Sequence, residues 1–224
     1  STIYPNGLHV VHQKSPHDLP ICSIHLYCDV GSSFETDQLR GIAHFLEHML
    51  FQGTKDKTAR VIFQEYDRTG TQFNAFTTKR FTCFYVKCHI EHGERVLYLL
   101  TDMMQNSSMK KETIKQEKKV IEQENRSRTA NVANVVQTNF ESSIYQNTSF
   151  ENPIDDSRYR QTASNISQQT LKKWYEWFYQ PRNIVLSIVS TKQLSFWTAY
   201  IFNTNLSRKN FRNRSIQKPS NALL

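Results

Sequence analysis

Between Gly41 and Phe51 the chain reads Gly-Ile-Ala-His-Phe-Leu-Glu-His-Met-Leu-Phe, and this run limits what the polypeptide can fold into more than any other. Ile42, Phe45, Leu46, Met49 and Leu50 recur at helical spacing, which predicts a short, largely buried helix over 41–51. The same helix draws His44, Glu47 and His48 into that core. Burying three polar groups without partners costs several kcal/mol, and a metal ion removes that cost. On a helix, positions i and i+4 lie about 40° apart and one turn on, so the imidazoles of His44 and His48 can meet at one ion. Glu47 reaches the same neighbourhood without being forced into coordination. Two neutral imidazoles with a carboxylate placed to accept a proton from water is the arrangement that metal-assisted hydrolysis requires.

A zinc site needs at least a third protein ligand. The stretch from 111 to about 130 is long, charged and free of Gly and Pro, so it predicts a second helix, and it offers Glu112, Glu117, Glu122 and Glu124. Ile114, Glu117, Ile121 and Glu124 step by three, four and three and form one stripe. Glu122 points about 160° away from Glu124. Glu117 and Glu124 stand roughly 10 Å apart along the axis, too far for both to bind one ion. One is expected to be a ligand and the other to orient a histidine. Spacing alone leaves open which is which.

The remaining segments predict strands over 8–12 and 21–30, joined as a hairpin through a Pro-containing loop at 15–20. A helix over 58–69 carries Ala59, Ile62, Phe63 and Tyr66 on one stripe and stops at Gly70. The runs 72–77 and 81–89 read as paired strands, 94–105 as a helix, and 184–189 as a buried strand. Ser167 caps a helix running to about Gln180, before Pro181, and a last helix covers 194–202. Strands and helices mix without strict βαβ alternation, and no internal repeat occurs. The class expected is therefore α+β, with a mainly antiparallel sheet packed against helices. One domain is expected over 1–206, followed by a basic tail or linker over 207–224 that holds Arg208, Lys209, Arg212, Arg214 and Lys218.

Formal net charge is +8, but outside that tail the charge is dispersed and no nucleic-acid motif is present, so no nucleic-acid partner is expected. No apolar run approaches the ~20 residues that span a bilayer, and the N-terminus lacks a signal-peptide profile, so no membrane span is expected. Cys22, Cys28, Cys83 and Cys88 lie in strand-like runs without C-x-x-C spacing and read as buried free thiols. A glycan on the Asn125-Arg126-Ser127 sequon would obstruct Glu124. The expected location is the cytoplasm or another intracellular compartment, an organelle matrix included.

His-x-x-Glu-His is a metallopeptidase signature, the inverse of His-Glu-x-x-His. With its surroundings, the chain resembles the M16 peptidases, the pitrilysin, insulin-degrading enzyme and mitochondrial processing peptidase family. The likeness runs through Pro5-Asn6-Gly7-Leu8, Gly31-Ser32 and Glu35, the block from Gly41 to Thr54, Asn74-Ala75-Phe76-Thr77, Glu117 with Glu124, and Tyr179-Gln180-Pro181-Arg182-Asn183. The resemblance implies one M16 (LuxS/metallohydrolase-like) domain binding one Zn2+ through His44, His48 and Glu124. It implies two catalytic glutamates, Glu47 as general base and Glu117 as the residue that supports the metal site without ligating. It also implies that Asn74, Ala75 and Phe76, on an edge strand, hold an extended peptide backbone, Asn74 polarising the scissile carbonyl. The substrate implied is a peptide or unfolded protein.

Family members place two such domains around a chamber, so a second M16-type domain or subunit, as a homo- or heterodimer, is the implied partner. Three readings follow: an active zinc endopeptidase, a precursor-processing subunit active only with its partner, or a non-catalytic scaffold subunit on the same fold. Scaffold members typically lose the metal-binding pattern, which this chain keeps whole.

Overall fold

The computed structural model describes residues 1–154 and 159–203. Its strands are β1 (Thr2–Ile3), β2 (His9–Lys14), β3 (Ile21–Cys28), β4 (Gln72–Thr77), β5 (Thr82–His89) and β6 (Ile184–Ser190). Its helices are α1 (Ile42–Phe51), α2 (Ala59–Arg68), α3 (Gly93–Asn106), α4 (Lys111–Ala130), α5 (Val132–Ile144), α6 (Tyr159–Thr162), α7 (Gln168–Phe178) and α8 (Leu194–Asn203). The expected tail at 207–224 lies outside the described residues.

The strands form one six-stranded sheet in the order β1-β2-β6-β3-β5-β4. Only the β2–β6 pairing is parallel, so the α+β class with a mainly antiparallel sheet is what forms. Along β3, Cys22, Ile24, Leu26 and Cys28 are buried while Ser23, His25 and Tyr27 on the other face are half-buried, the period-2 alternation of a strand covered on one side. The covered face joins α1, α3, α7 and α8 in a single apolar core. Trp174, Trp197, Phe45 and Phe178 are among its fully buried side chains.

The hairpin expected between the first two strands does not form. β6 lies between β2 and β3, parallel to the first and antiparallel to the second. The sequence explains this once the late strand is counted. The loop at 15–20 must cross two inter-strand spacings, about 10 Å, which its residues span easily. Pro20 cannot donate to a ladder, and the apolar alternation of β6 (Ile184, Leu186 and Ile188 buried) suits it to the sheet interior. Ser15 N–H donates instead to Ser190 O (2.7 Å) as the chain leaves β2.

Elsewhere the local signals hold. Thr58 caps α2 by accepting from Val61 N–H, and Ser167 caps α7 by accepting from Thr170 N–H (3.1 Å). All four cysteines are buried in strands, and Cys22 and Cys88 face each other in register with Sγ atoms 3.3 Å apart. The short helix α6 had no counterpart among the expected elements, and neither did α5. The apolar residues of α5, Val132, Val136, Phe140 and Ile144, recur every four positions, but all four are exposed. Among the described residues, no helix is long and apolar enough to cross a membrane.

Candidate metal centre

The site is built on α1, and α1 is anchored at its N-terminus by a carboxylate from outside the helix. Glu35, 2% exposed, accepts Gly41 N–H at Oε2 (2.8 Å) and Ala43 N–H at Oε1 (3.0 Å). A helix start leaves its first N–H groups without intrahelical partners and carries partial positive charge, so a buried anion there is stabilised as it satisfies them. Gly41 adopts φ +82°, and a Cβ on it would lie 2.7 Å from the Tyr159 ring. Only glycine suits that entry. Ile42, Phe45, Leu46, Met49 and Leu50 are then wholly buried, which fixes the rotation of α1 about its axis.

That rotation turns His44 and His48 toward α4, which packs alongside. On α4, Ile114, Glu117 and Ile121 are buried on the expected stripe, and Glu124 continues it with its side chain 39% exposed. The Nε2 atoms of His44 and His48 are 3.1 Å apart. Glu124 Oε2 lies 3.7 Å from the first and 3.5 Å from the second. Ligand atoms arranged tetrahedrally about zinc, each at ~2.1 Å, stand ~3.4 Å from one another. The three donors fit a tetrahedral ion with a fourth position left for solvent. They form the one such group of three or more potential ligands found among the described residues.

Glu117 sits differently. Its Oε2 lies 3.1 Å from His48 Nδ1, and its Oε1 accepts from Gln52 Nε2 (2.9 Å). With Nδ1–H donating to Glu117, the lone pair of His48 Nε2 is left facing His44 and Glu124. Gln52 lies four residues after His48, so helical spacing could have singled it out.

Electrostatics separate the two imidazoles. Burial, followed by the neighbouring His48 and Arg128, pushes His44 down to about 3. Burial also acts to lower His48, but the Glu117 hydrogen bond and the charges of Glu124 and Glu47 outweigh it, so its pKa is raised. Without a cation, the pair therefore carries its first proton on His48. Burial raises Glu47, against the pull of Thr77 and His48 in the opposite direction. Raised basicity suits a carboxylate to accepting a proton.

Asn74, Ala75 and Phe76 lie on β4, at the edge of the sheet. Among the described residues, none of the hydrogen bonds of Asn74, Ala75 or Phe76 runs to His44, His48 or Glu124. Asn74 and Phe76 are exposed and, by strand alternation, share the face opposite Thr77. Asn74 Oδ1 accepts Ala75 N–H (2.8 Å). Thr77, at the end of the same strand, is what touches the cluster: its hydroxyl donates to Glu47 Oε2 at 2.5 Å. The sequence reading included Thr77 only within the family likeness and gave it no role.

Comparison with known proteins bears on the family and the fold. Residues 9–158 match the family described as insulinase, peptidase family M16. A Bacillus subtilis (strain 168) protein named uncharacterized zinc protease YmxG is 33% identical over 191 residues, covering 85% of this chain and 46% of its own length. Cytochrome b-c1 complex subunit 1, mitochondrial, of Rattus norvegicus is 28% identical over 186 residues, covering 83% of this chain and 38% of its own. Among solved structures, a protease from Helicobacter pylori superposes with a TM-score of 0.90 at 25% identity, over 98% of this chain and 52% of that one. The chain thus spans less than half the length of these two curated relatives.

Proposed function

This chain belongs to the M16 peptidase family, and from that premise we propose that it is the catalytic half of a zinc endopeptidase cleaving peptides held in extended conformation. The observation that carries the proposal is the convergence of His44 Nε2, His48 Nε2 and Glu124 Oε2 at 3.1–3.7 Å, the spacing of three ligands around one ion. His44, His48 and Glu124 hold the zinc, and Glu117 fixes the ring of His48 through Nδ1. Bound there, zinc supplies Lewis acidity toward a water and the scissile carbonyl. Glu47 accepts the proton of that water and returns it to the leaving amine.

The substrate is placed by β4. Thr78 N–H donates to Phe81 O at the hairpin turn (2.8 Å), which sets the phase of the β4–β5 ladder. The backbone groups of Phe73, Ala75 and Thr77 then face away from β5, toward the free edge. An unpaired edge is a template for an added strand, and a peptide laid along it runs toward Thr77 and Glu47. Asn74 Oδ1 occupies the outward N–H of Ala75 and gives it up when a peptide carbonyl arrives. Asn74 is then free to polarise the scissile carbonyl, and Phe76 flanks the bound strand. A second domain of the same family, in one polypeptide or as a partner subunit, closes the other side of the peptide; the length of the matched relatives supports this.

The likeness to a cytochrome b-c1 subunit favours a second reading, a scaffold without catalysis. The complete set of donors argues for the peptidase. Glu47→Gln separates the two, assayed on the full-length protein with its partner domain and a quenched peptide. The proposal expects hydrolysis in the wild type, none above background in the variant, and equal zinc content. Full activity in Glu47→Gln sinks the mechanism, and an inactive, zinc-free wild type supports the scaffold.

A further inference from the structure

We propose that Thr77 is the positioning residue for Glu47, and that the 31–33 segment holds Thr77 in place by gripping the β4–β5 turn. The inference rests on the reading of Glu47 as general base and names what aims it. Thr77 and Thr82 face each other at the last rung of the β4–β5 ladder, both buried. Each hydroxyl has one proton to give. Thr82 Oγ1 donates to Val30 O at 2.9 Å, so its proton is committed. Thr77 Oγ1 lies 2.5 Å from Glu47 Oε2 and 3.4 Å from Thr82 Oγ1. A carboxylate only accepts, and the shorter contact is far the stronger, so the Thr77 proton goes to Oε2. One oxygen of Glu47 is thereby fixed. Proton acceptance falls to Oε1, and rotation of the carboxylate about its axis is arrested.

The hydroxyl is held in place by backbone contacts. Past β3, Ser32 N–H donates to Thr78 O (3.1 Å) and Ser33 N–H to Lys79 O (2.8 Å). The turn is closed on itself by Phe81 N–H donating to Thr78 Oγ1 (2.9 Å). The approach is so close that a Cβ on Gly31 would stand 2.2 Å from Thr78 O. Gly31-Ser32, part of the family likeness with no evident role in the sequence, thus has a physical purpose: it presses the turn inward and sets where Thr77 ends. Threonine adds its own constraint, because a β-branched side chain has little freedom at χ1.

The test uses the zinc-loaded, full-length protein with its partner domain. Thr77→Val keeps the shape and removes the hydroxyl; Thr77→Ser keeps the hydroxyl. The valine variant is expected to lose about 10- to 100-fold in kcat with KM and zinc content unchanged, since a base that must be aimed loses efficiency without changing what binds. The serine variant is expected to recover to within about three-fold of wild type. Wild-type kcat in Thr77→Val overturns the proposal, as does a serine variant as slow as the valine one. Crystal structures of wild type and Thr77→Val give a readout that needs no turnover: the Glu47 carboxylate should be displaced in the variant. Should the wild type cleave no peptide, the peptidase reading fails, and this displacement alone decides whether Thr77 orients Glu47. An unmoved carboxylate overturns it.

Discussion

At His48 the two ring nitrogens face different partners, Nδ1 toward Glu117 at 3.1 Å and Nε2 toward His44 and Glu124. Sequence spacing placed both glutamates on one stripe of α4 and separated them along the axis, but it could not tell ligand from support. That distinction depends on how far α1 and α4 are offset, and the offset is set by packing of side chains distant in sequence. The different positions predict different losses. Glu124→Ala should abolish zinc binding, whereas Glu117→Gln should bind about 10- to 100-fold more weakly, because it releases the orientation of a ligand and removes none. Competition against a chromophoric chelator measures both, and equal losses would contradict the assignment. Thr77 escaped the sequence reading for a similar reason, since its contact with Glu47 joins residues thirty positions apart.

Elements with strong local signals were legible: α1 from its apolar period, α2 and α7 from Thr58 and Ser167 at their starts, α4 from its charged stripe. The failures came where a non-local partner decided. β2 and β3 read as a hairpin because they are neighbours in sequence, yet β6, far along the chain, pairs with both. The exposed apolar stripe of α5 carries a helical period that passed unnoticed because the helix contributes nothing to the core. The start of α1 shows how an element depends on a remote residue. Glu35→Ala removes the carboxylate that accepts Gly41 and Ala43 N–H, leaving two buried donors unsatisfied. A cost of about 2–3 kcal/mol is expected in urea unfolding, with the midpoint lowered and the m-value unchanged. A loss below about 0.5 kcal/mol, the range of an ordinary surface substitution, would show that the apolar face alone holds the helix.

For the molecule as a whole, the fold class and the family were readable, because one core cluster and one short motif account for most of the constraint. The topology of the sheet was not readable, since its parallel pair joins residues 9–14 to residues 185–190. A metal clasped between α1 and α4, as proposed, would tie together two elements separated by α2, the β4–β5 hairpin and α3. Such a ligand binds the folded state alone, so it should raise global stability: about 2.7 kcal/mol with zinc at 100 times its dissociation constant. For a domain of this size that corresponds to roughly 5–10 °C in Tm. Calorimetry with zinc and with a chelator measures the difference, which should vanish in Glu124→Ala.

The most direct measurement is anomalous diffraction at the zinc edge from crystals grown with zinc. The account predicts one strong peak per chain, within about 2.0–2.2 Å of His44 Nε2, His48 Nε2 and a Glu124 carboxylate oxygen, with Glu117 bonded only through the imidazole of His48. A map empty at that position, or a zinc held by Glu117 in place of Glu124, would contradict it.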